Sequence, residues 1–148
     1  MIRSDPHAFF ERFTGMWRFL KGVVAEAYAG VEVGSAQAKF LRHIGRNSRI
    51  SQADLARATD TAPTLTGRAL ETLIERGWVR RKRSEEDRRQ YVLELTASGQ
   101  RTRARVEEAR EHVIQRIAAA LDEKDVEDFD RIAKKILDAF EADAGTKP

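Results

Sequence analysis

Apolar residues return at three- and four-residue steps along most of this chain, and that rhythm breaks once, immediately after Gly77. There the period becomes extended. Trp78-Val79 opens one run, and Tyr91, Leu93 and Leu95 alternate with Gln90, Val92 and Glu94 in a second, the two-residue period of a strand with one buried face. The stretch between them, Arg80 to Arg89, is too polar for a core, so the two runs are expected to form a hairpin with a charged tip. The fold class that follows is mostly α with a small β-hairpin wing (α+β), with helices before and after it.

Those helices carry readable ends. Asp5-Pro6 predicts an N-cap followed by proline in the first turn, and Phe9, Phe13, Met16, Trp17, Leu20, Val24 and Tyr28 recur along a long first helix that stops near Gly30 to Gly34. Ser35 is expected to cap a second helix bearing Phe40, Leu41 and Ile44, closed by Gly45. Ser51-Gln52-Ala53-Asp54 has the form of a capping box and starts a short third helix with Leu55 and Ala56 inward. After the Thr59-Asp60-Thr61 turn, Pro63 opens a fourth, whose Leu65, Ala69, Leu70, Leu73 and Ile74 make one apolar stripe ended by Gly77. Thr96 caps a long fifth helix, and Asp122 or Asp125 starts a sixth carrying Val126, Phe129, Ile132, Ile136, Leu137 and Phe140. Residues 145–148 are expected to fray. With 148 residues and no repeat or low-complexity linker, one compact chain is expected: helical flanks at 1–34 and 100–148 around a module at 35–99.

Charge marks out that module. Residues 35–105 hold 16 Lys and Arg against 8 Asp and Glu, while the remainder holds 11 against 16, so the middle of the chain suits a polyanion. A solvated surface is the plain alternative. The chain contains no cysteine, which removes disulfides, thiolate metal sites and cysteine-based redox sensing. No run approaches the roughly 18 apolar residues of a membrane span, and no secretory pattern opens the sequence. The expectation is a soluble, cytoplasmic protein.

Helices three and four, joined by a short turn, have the spacing of a helix-turn-helix, whose second helix lies in the major groove. Its outward positions read as Thr64, Thr66, Gly67, Arg68 and Thr72. Hydroxyls can reach phosphates or base edges, and Arg68 can grip a guanine with its planar fork. In the hairpin, Arg80-Arg81-Lys82-Arg83 climbs one strand and Asp87-Arg88-Arg89 closes the loop, a cationic tip suited to the DNA backbone and the narrow minor groove. Asp87 reads as a brace that holds an arginine side chain, with a loop-capping role as its alternative. The candidate DNA-contacting set is Ser51, Thr64, Thr66, Gly67, Arg68, Thr72, Arg81, Arg83, Asp87, Arg88 and Arg89.

The run from Ser51-Gln52-Ala53-Asp54-Leu55-Ala56 through Leu73-Ile74-Glu75-Arg76-Gly77-Trp78-Val79-Arg80-Arg81 to Asp87-Arg88-Arg89 and Leu95-Thr96-Ala97-Ser98-Gly99 resembles the MarR family of winged helix-turn-helix transcriptional regulators. The likeness covers about residues 35–100, and the flanking helices match only in layout. It implies a homodimer in which the first, fifth and sixth helices interlock. It further implies two winged modules on successive major grooves of double-stranded DNA, and Arg88 or Arg89 at the minor groove. An inverted-repeat operator follows from that two-fold symmetry. The residues support the dimer separately, because three terminal helices with near-continuous apolar stripes bury little against so small a middle, and a partner chain is the natural cover. Gly67 departs from the family pattern, in which many members have a threonine just before the helix-four arginine.

The same resemblance implies release from DNA on a signal: a small aromatic acid, a metal or an oxidant. Cysteine oxidation is excluded here, and His7, His43 and His112 lie far apart without metal-ligand spacing, so no metal and no cofactor is expected. The reading is a repressor released by a small ligand, an aromatic acid in the first instance. Its cleft would be lined by Phe13, Trp17, Phe40 and His43, with an arginine to meet the carboxylate. As ordinary core residues the same aromatics need no ligand. No nucleophile elbow, phosphate loop or zinc signature is present, so the chain reads as a regulator and not an enzyme. The alternative is a winged-helix protein-interaction module without DNA binding.

Overall fold

The computed structural model describes residues 5–144, so the fraying expected at 145–148 lies outside the described residues. Along the chain come α1 (Pro6–Ala29), α2 (Ser35–Arg46), α3 (Gln52–Ala58), α4 (Pro63–Glu75), β1 (Val79–Arg83), β2 (Tyr91–Leu95), α5 (Ala97–Ala119) and α6 (Glu123–Ala144). The mostly helical chain with one hairpin is the expected class. Two compact units divide it, Met1–Val113 and Ile114–Pro148, with the division inside α5. None of the described helices is long and apolar enough to cross a membrane.

Local chemistry explains most of the boundaries. Asp5 caps α1 by accepting the N–H of His7 at 2.9 Å, and Pro6 fills the first turn, where a missing N–H costs nothing. At the end of α4 the N–H of Gly77 donates to Ile74 O (2.9 Å) and that of Trp78 to Leu73 O (3.0 Å). This is a Schellman turn, and Gly77 supplies the left-handed residue it requires, at φ 75°. Thr96 Oγ1 accepts the N–H of Gly99 at 3.0 Å and starts α5. Asp122 and Asp125 exchange reciprocal backbone-to-carboxylate bonds of 2.8 and 3.0 Å ahead of α6, so Asp122 is the cap and Asp125 its return partner. At α2 the expectation fails at both ends. Gly34 is the cap, because Gln37 Oε1 takes its N–H at 3.2 Å, and the helix runs through Gly45 to Arg46.

The core of the first unit gathers Phe40 and Leu41 from α2, Leu55 from α3, Leu70 and Leu73 from α4, Val79 and Leu93 from the hairpin, and Val106 from α5, all essentially excluded from solvent. Leu65 does not join its own stripe and stands 57% exposed. The hairpin pairs Val79 with Leu95, Arg81 with Leu93 and Arg83 with Tyr91. Ile50 adds a single bridge to Leu93, whose N–H donates to Ile50 O at 2.8 Å, tying the α2–α3 connection to the wing.

In the second unit, α6 carries an apolar row, Val126, Phe129, Ile132, Leu137 and Phe140, that is 43–72% exposed, and its other side is stitched by Lys124–Asp128 and Lys134–Asp138 pairs at 2.8 and 2.7 Å. On α1, Phe9, Phe10, Phe13, Met16, Trp17 and Phe19 are likewise exposed.

Candidate nucleic-acid interface

Strand alternation sorts the basic run of β1 onto two faces. Arg81 and Arg83 share the face of Val79, and Arg81 turns toward α3, where its guanidinium N–H donates to Gln52 Oε1 at 3.3 Å. Arg80 lies on the opposite face and is paired with its cross-strand partner Glu94. Gln52, at the start of α3, has its amide nitrogen 3.4 Å from where a Cβ on Gly67 would stand. One side chain therefore joins the outer surface of α4, the start of α3 and the wing strand. Gln52 was read from sequence only as part of the capping box and not as a DNA-contacting residue, and neither spacing nor residue type singles it out for that role.

On α4, Thr64 and Arg68 are exposed, Gly67 is half-buried, and Thr72 is half-buried with its hydroxyl donating back to Arg68 O at 3.2 Å. Thr66 is a correction. It is fully buried, its hydroxyl donating to Ala62 O at 3.1 Å, because the helix turns that position into the α3–α4 corner. Ser51 is largely spent on folding: its oxygen accepts the N–H of Asp54 at 3.0 Å, and its hydrogen bond, followed by that of Arg57, holds the Asp54 carboxyl below its ordinary pKa.

The wing tip is built on Asp87, though not as the expected side-chain brace. Asp87 Oδ1 accepts the backbone N–H of Arg89 at 3.0 Å, a local turn that short acidic side chains make readily. The arginine whose side chain is held is Arg83, which donates to the Arg88 carbonyl at 2.8 Å and lies 5.2 Å over the Tyr91 ring. Arg49, itself left-handed at φ 68°, reaches Glu85 and Glu86 at 3.6 Å each. The guanidinium groups of Arg68, Arg88 and Arg89 are exposed and have no hydrogen-bond or ion-pair partner among the described residues.

The four residues expected to line a ligand cleft do not share one environment. Phe40 is 1% exposed and belongs to the core, whereas Phe13 and Trp17 stand 41% and 61% exposed on α1. The apolar stripe of α2 claims Phe40, so it cannot wall an open cleft. His43 is half-buried on α2, and desolvation, then Arg42, Arg46 and Lys39, lower its pKa below the ordinary histidine value. Its folded form favours the neutral ring, so its contribution to stability is complete above about pH 6.5 and is lost as pH falls toward the depressed value. Melting followed between pH 7 and 5 is expected to slope less steeply in His43→Gln than in the parent.

A family model described as the MarR family matches residues 32–90. The cap of α2, the helix-turn-helix, β1 and the wing tip fall within that span, and β2 lies just beyond it. A second likeness runs further along the chain: the HTH-type transcriptional repressor YetL of Bacillus subtilis (strain 168) is 30% identical over 113 residues, 76% of this chain and 65% of that one. Over residues 32–90 the chain is similar to the MarR family. It is also similar to the HTH-type transcriptional regulator BilQ of Clostridium symbiosum (strain WAL-14163), at 35% identity over 63 residues, 43% of this chain and 44% of that protein. The chain thus spans less than two thirds of either relative. Among solved structures it is similar to a mutant MarR from E. coli complexed with operator DNA, with TM-score 0.73, 20% identity, and coverage of 90% of this chain and 99% of that one. At that identity the likeness shows the winged-helix fold. For the likeness to the MarR family the order of short motifs was a sufficient signal, whereas Gln52 and Arg49 act through contacts that no motif spacing records.

Proposed function

We propose that this chain is a transcriptional regulator that binds double-stranded DNA as a homodimer, with α4 in the major groove and the wing tip at the adjacent minor groove. It acts as a repressor and leaves DNA when a small organic ligand binds. The carrying observation is the division among its arginines. Arg49, Arg57 and Arg80 are matched with carboxylates, while Arg68 on α4 and Arg88 and Arg89 at the tip are exposed and unmatched among the described residues. Unmatched cations on two neighbouring protrusions are what phosphate and groove edges require. Two-fold symmetry of the protein is mirrored in the site, so an inverted repeat with half-site centres ~10 bp apart is expected.

Fluorescence anisotropy on specific and scrambled duplexes over a salt series tests this reading. Arg68→Ala should cost about 1–3 kcal/mol on the specific duplex and relax preference at one base position. Arg89→Ala should weaken all duplexes alike and make the salt slope shallower by about one unit. Asp87→Ala, which loosens the turn but leaves the arginine charges in place, should resemble a milder Arg89→Ala. Tighter binding by Asp87→Ala together with an unchanged slope for Arg89→Ala would take the wing out of the mechanism. Absence of any salt-dependent DNA binding would favour a protein-interaction module.

A further inference from the structure

Leu65, in the first turn of α4, stands 57% exposed. The helix buries Thr66, Leu70 and Leu73, and at 3.6 residues per turn that inner face excludes the position before Thr66. Leu65 therefore projects beside Arg68, because residues three apart are neighbours on a helix surface. The other outward side chains of this stretch, at Thr64 and Gly67, are small. Residues 63–69 contain one cation, Arg68, and no acid, while Glu71 and Glu75 come in the second half of the helix. Leu65 and Arg68 are thus the long side chains of the N-terminal half of α4, the half that a recognition helix lays against base edges.

Single exposed leucines are common on protein surfaces and signal nothing by themselves. The position of this one, beside an exposed arginine without a partner among the described residues, is what gives it a role. A leucine carried into the major groove gives up its water, and it gains from doing so only against an apolar group. The base edges there present hydrogen-bond donors, acceptors and one apolar group, the C5 methyl of thymine. We propose that Leu65 is a specificity-determining residue that packs on the methyl group of one thymine in each half-site. This deepens the DNA-binding reading and rests on it. Three residues of helix span about 4.5 Å and base pairs are stacked about 3.4 Å apart, so the thymine lies within about two base pairs of the one that Arg68 reads. The two residues select different features of the groove, Arg68 through hydrogen bonds to a guanine and Leu65 through apolar contact.

The test uses the full chain to select duplexes from a randomised pool. In the selected duplex each thymine is then replaced by deoxyuridine, one position at a time and in both half-sites together. Deoxyuridine keeps every hydrogen-bonding group and lacks only the methyl. One position, within about two base pairs of that relaxed by Arg68→Ala, should lose about three- to fivefold per methyl, hence roughly ten- to twentyfold for the pair. Leu65→Ala should bind the thymine and deoxyuridine duplexes within about twofold of each other. Leu65→Met, of similar volume, should keep most of the preference. Because the side chain is exposed, Leu65→Ala should melt within about 2 °C of the parent. A larger drop would make Leu65 a packing residue and overturn the proposal. So would a parent indifferent to every replacement, or a Leu65→Ala chain that distinguishes thymine from deoxyuridine as the parent does; each of these leaves DNA binding itself in place. A pool that yields no enriched duplex overturns the DNA-binding reading and this proposal with it.

Discussion

Gly99→Ala is expected to destabilise the chain by about 3 kcal/mol or more, at the upper end of what overpacking a core position costs, with Tm lowered by roughly 10 °C. Gly99 is buried in the first turn of α5, and a Cβ there would overlap the Trp78 carbonyl oxygen and stand 2.8 Å from its carbon. Neither side can give way. The Trp78 carbonyl accepts the N–H of Thr96 at 3.0 Å, and the Thr96 hydroxyl donates to Gly77 O at 2.5 Å, so the start of β1 and the start of α5 are laced backbone to backbone at this point. The neighbour is main chain, not the end of a flexible side chain. Gly15→Ala and Gly22→Ala on α1, where nothing lies within 4 Å of the new carbon, should instead be neutral or stabilise by about 0.5–1 kcal/mol, since glycine is a poor helix former. Thermal and denaturant unfolding of the three variants decides the matter. A Gly99→Ala protein that melts within about 2 °C of the parent would show that the α5 entry yields where the geometry says it is fixed.

Truncation after Leu121 should have an effect of similar size on function. It removes α6 and with it the exposed row of Val126, Phe129, Ile132, Leu137 and Phe140. A soluble chain rarely leaves so much contiguous apolar surface open, and in the proposed homodimer this row is part of what a second copy covers. The truncated chain is expected to be monomeric or aggregated in light scattering. Its affinity for a full inverted repeat should fall by about 10²–10⁴-fold, the gain normally given by binding two linked half-sites. A single half-site should be bound about equally by both proteins. A truncated chain that remains dimeric and holds the full site as tightly would place the dimer contact elsewhere.

How much of this was legible beforehand divides along the range of the interactions. The helix starts at Asp5, Ser51, Thr96 and Asp122, the stop at Gly77 and the switch to a two-residue period were open to reading. Each depends on residues within about four positions of one another, and capping geometry and strand alternation are properties of a short stretch of backbone. The MarR-type order of motifs was legible for the same reason. Where two local solutions compete, sequence decided less. Asp87 can serve a side chain or its own turn, and the turn prevails because the N–H of Arg89 is two residues away and the arginine side chains are free to stay in water.

What only the tertiary structure decided are the pairs set by how elements pack. Thr66 is polar and sits beside Arg68 in sequence, yet the α3–α4 corner turns it inward and lets it donate to Ala62 O. Phe40 is claimed by the core and not by a cleft. Gln52 meets Arg81 across 29 positions, and Arg103 meets Gly45 across 58. No periodicity or local spacing encodes such distances, because a side chain's partner in a folded chain is chosen by the rotation and separation of whole elements, and those are fixed jointly by every apolar face that has to be buried.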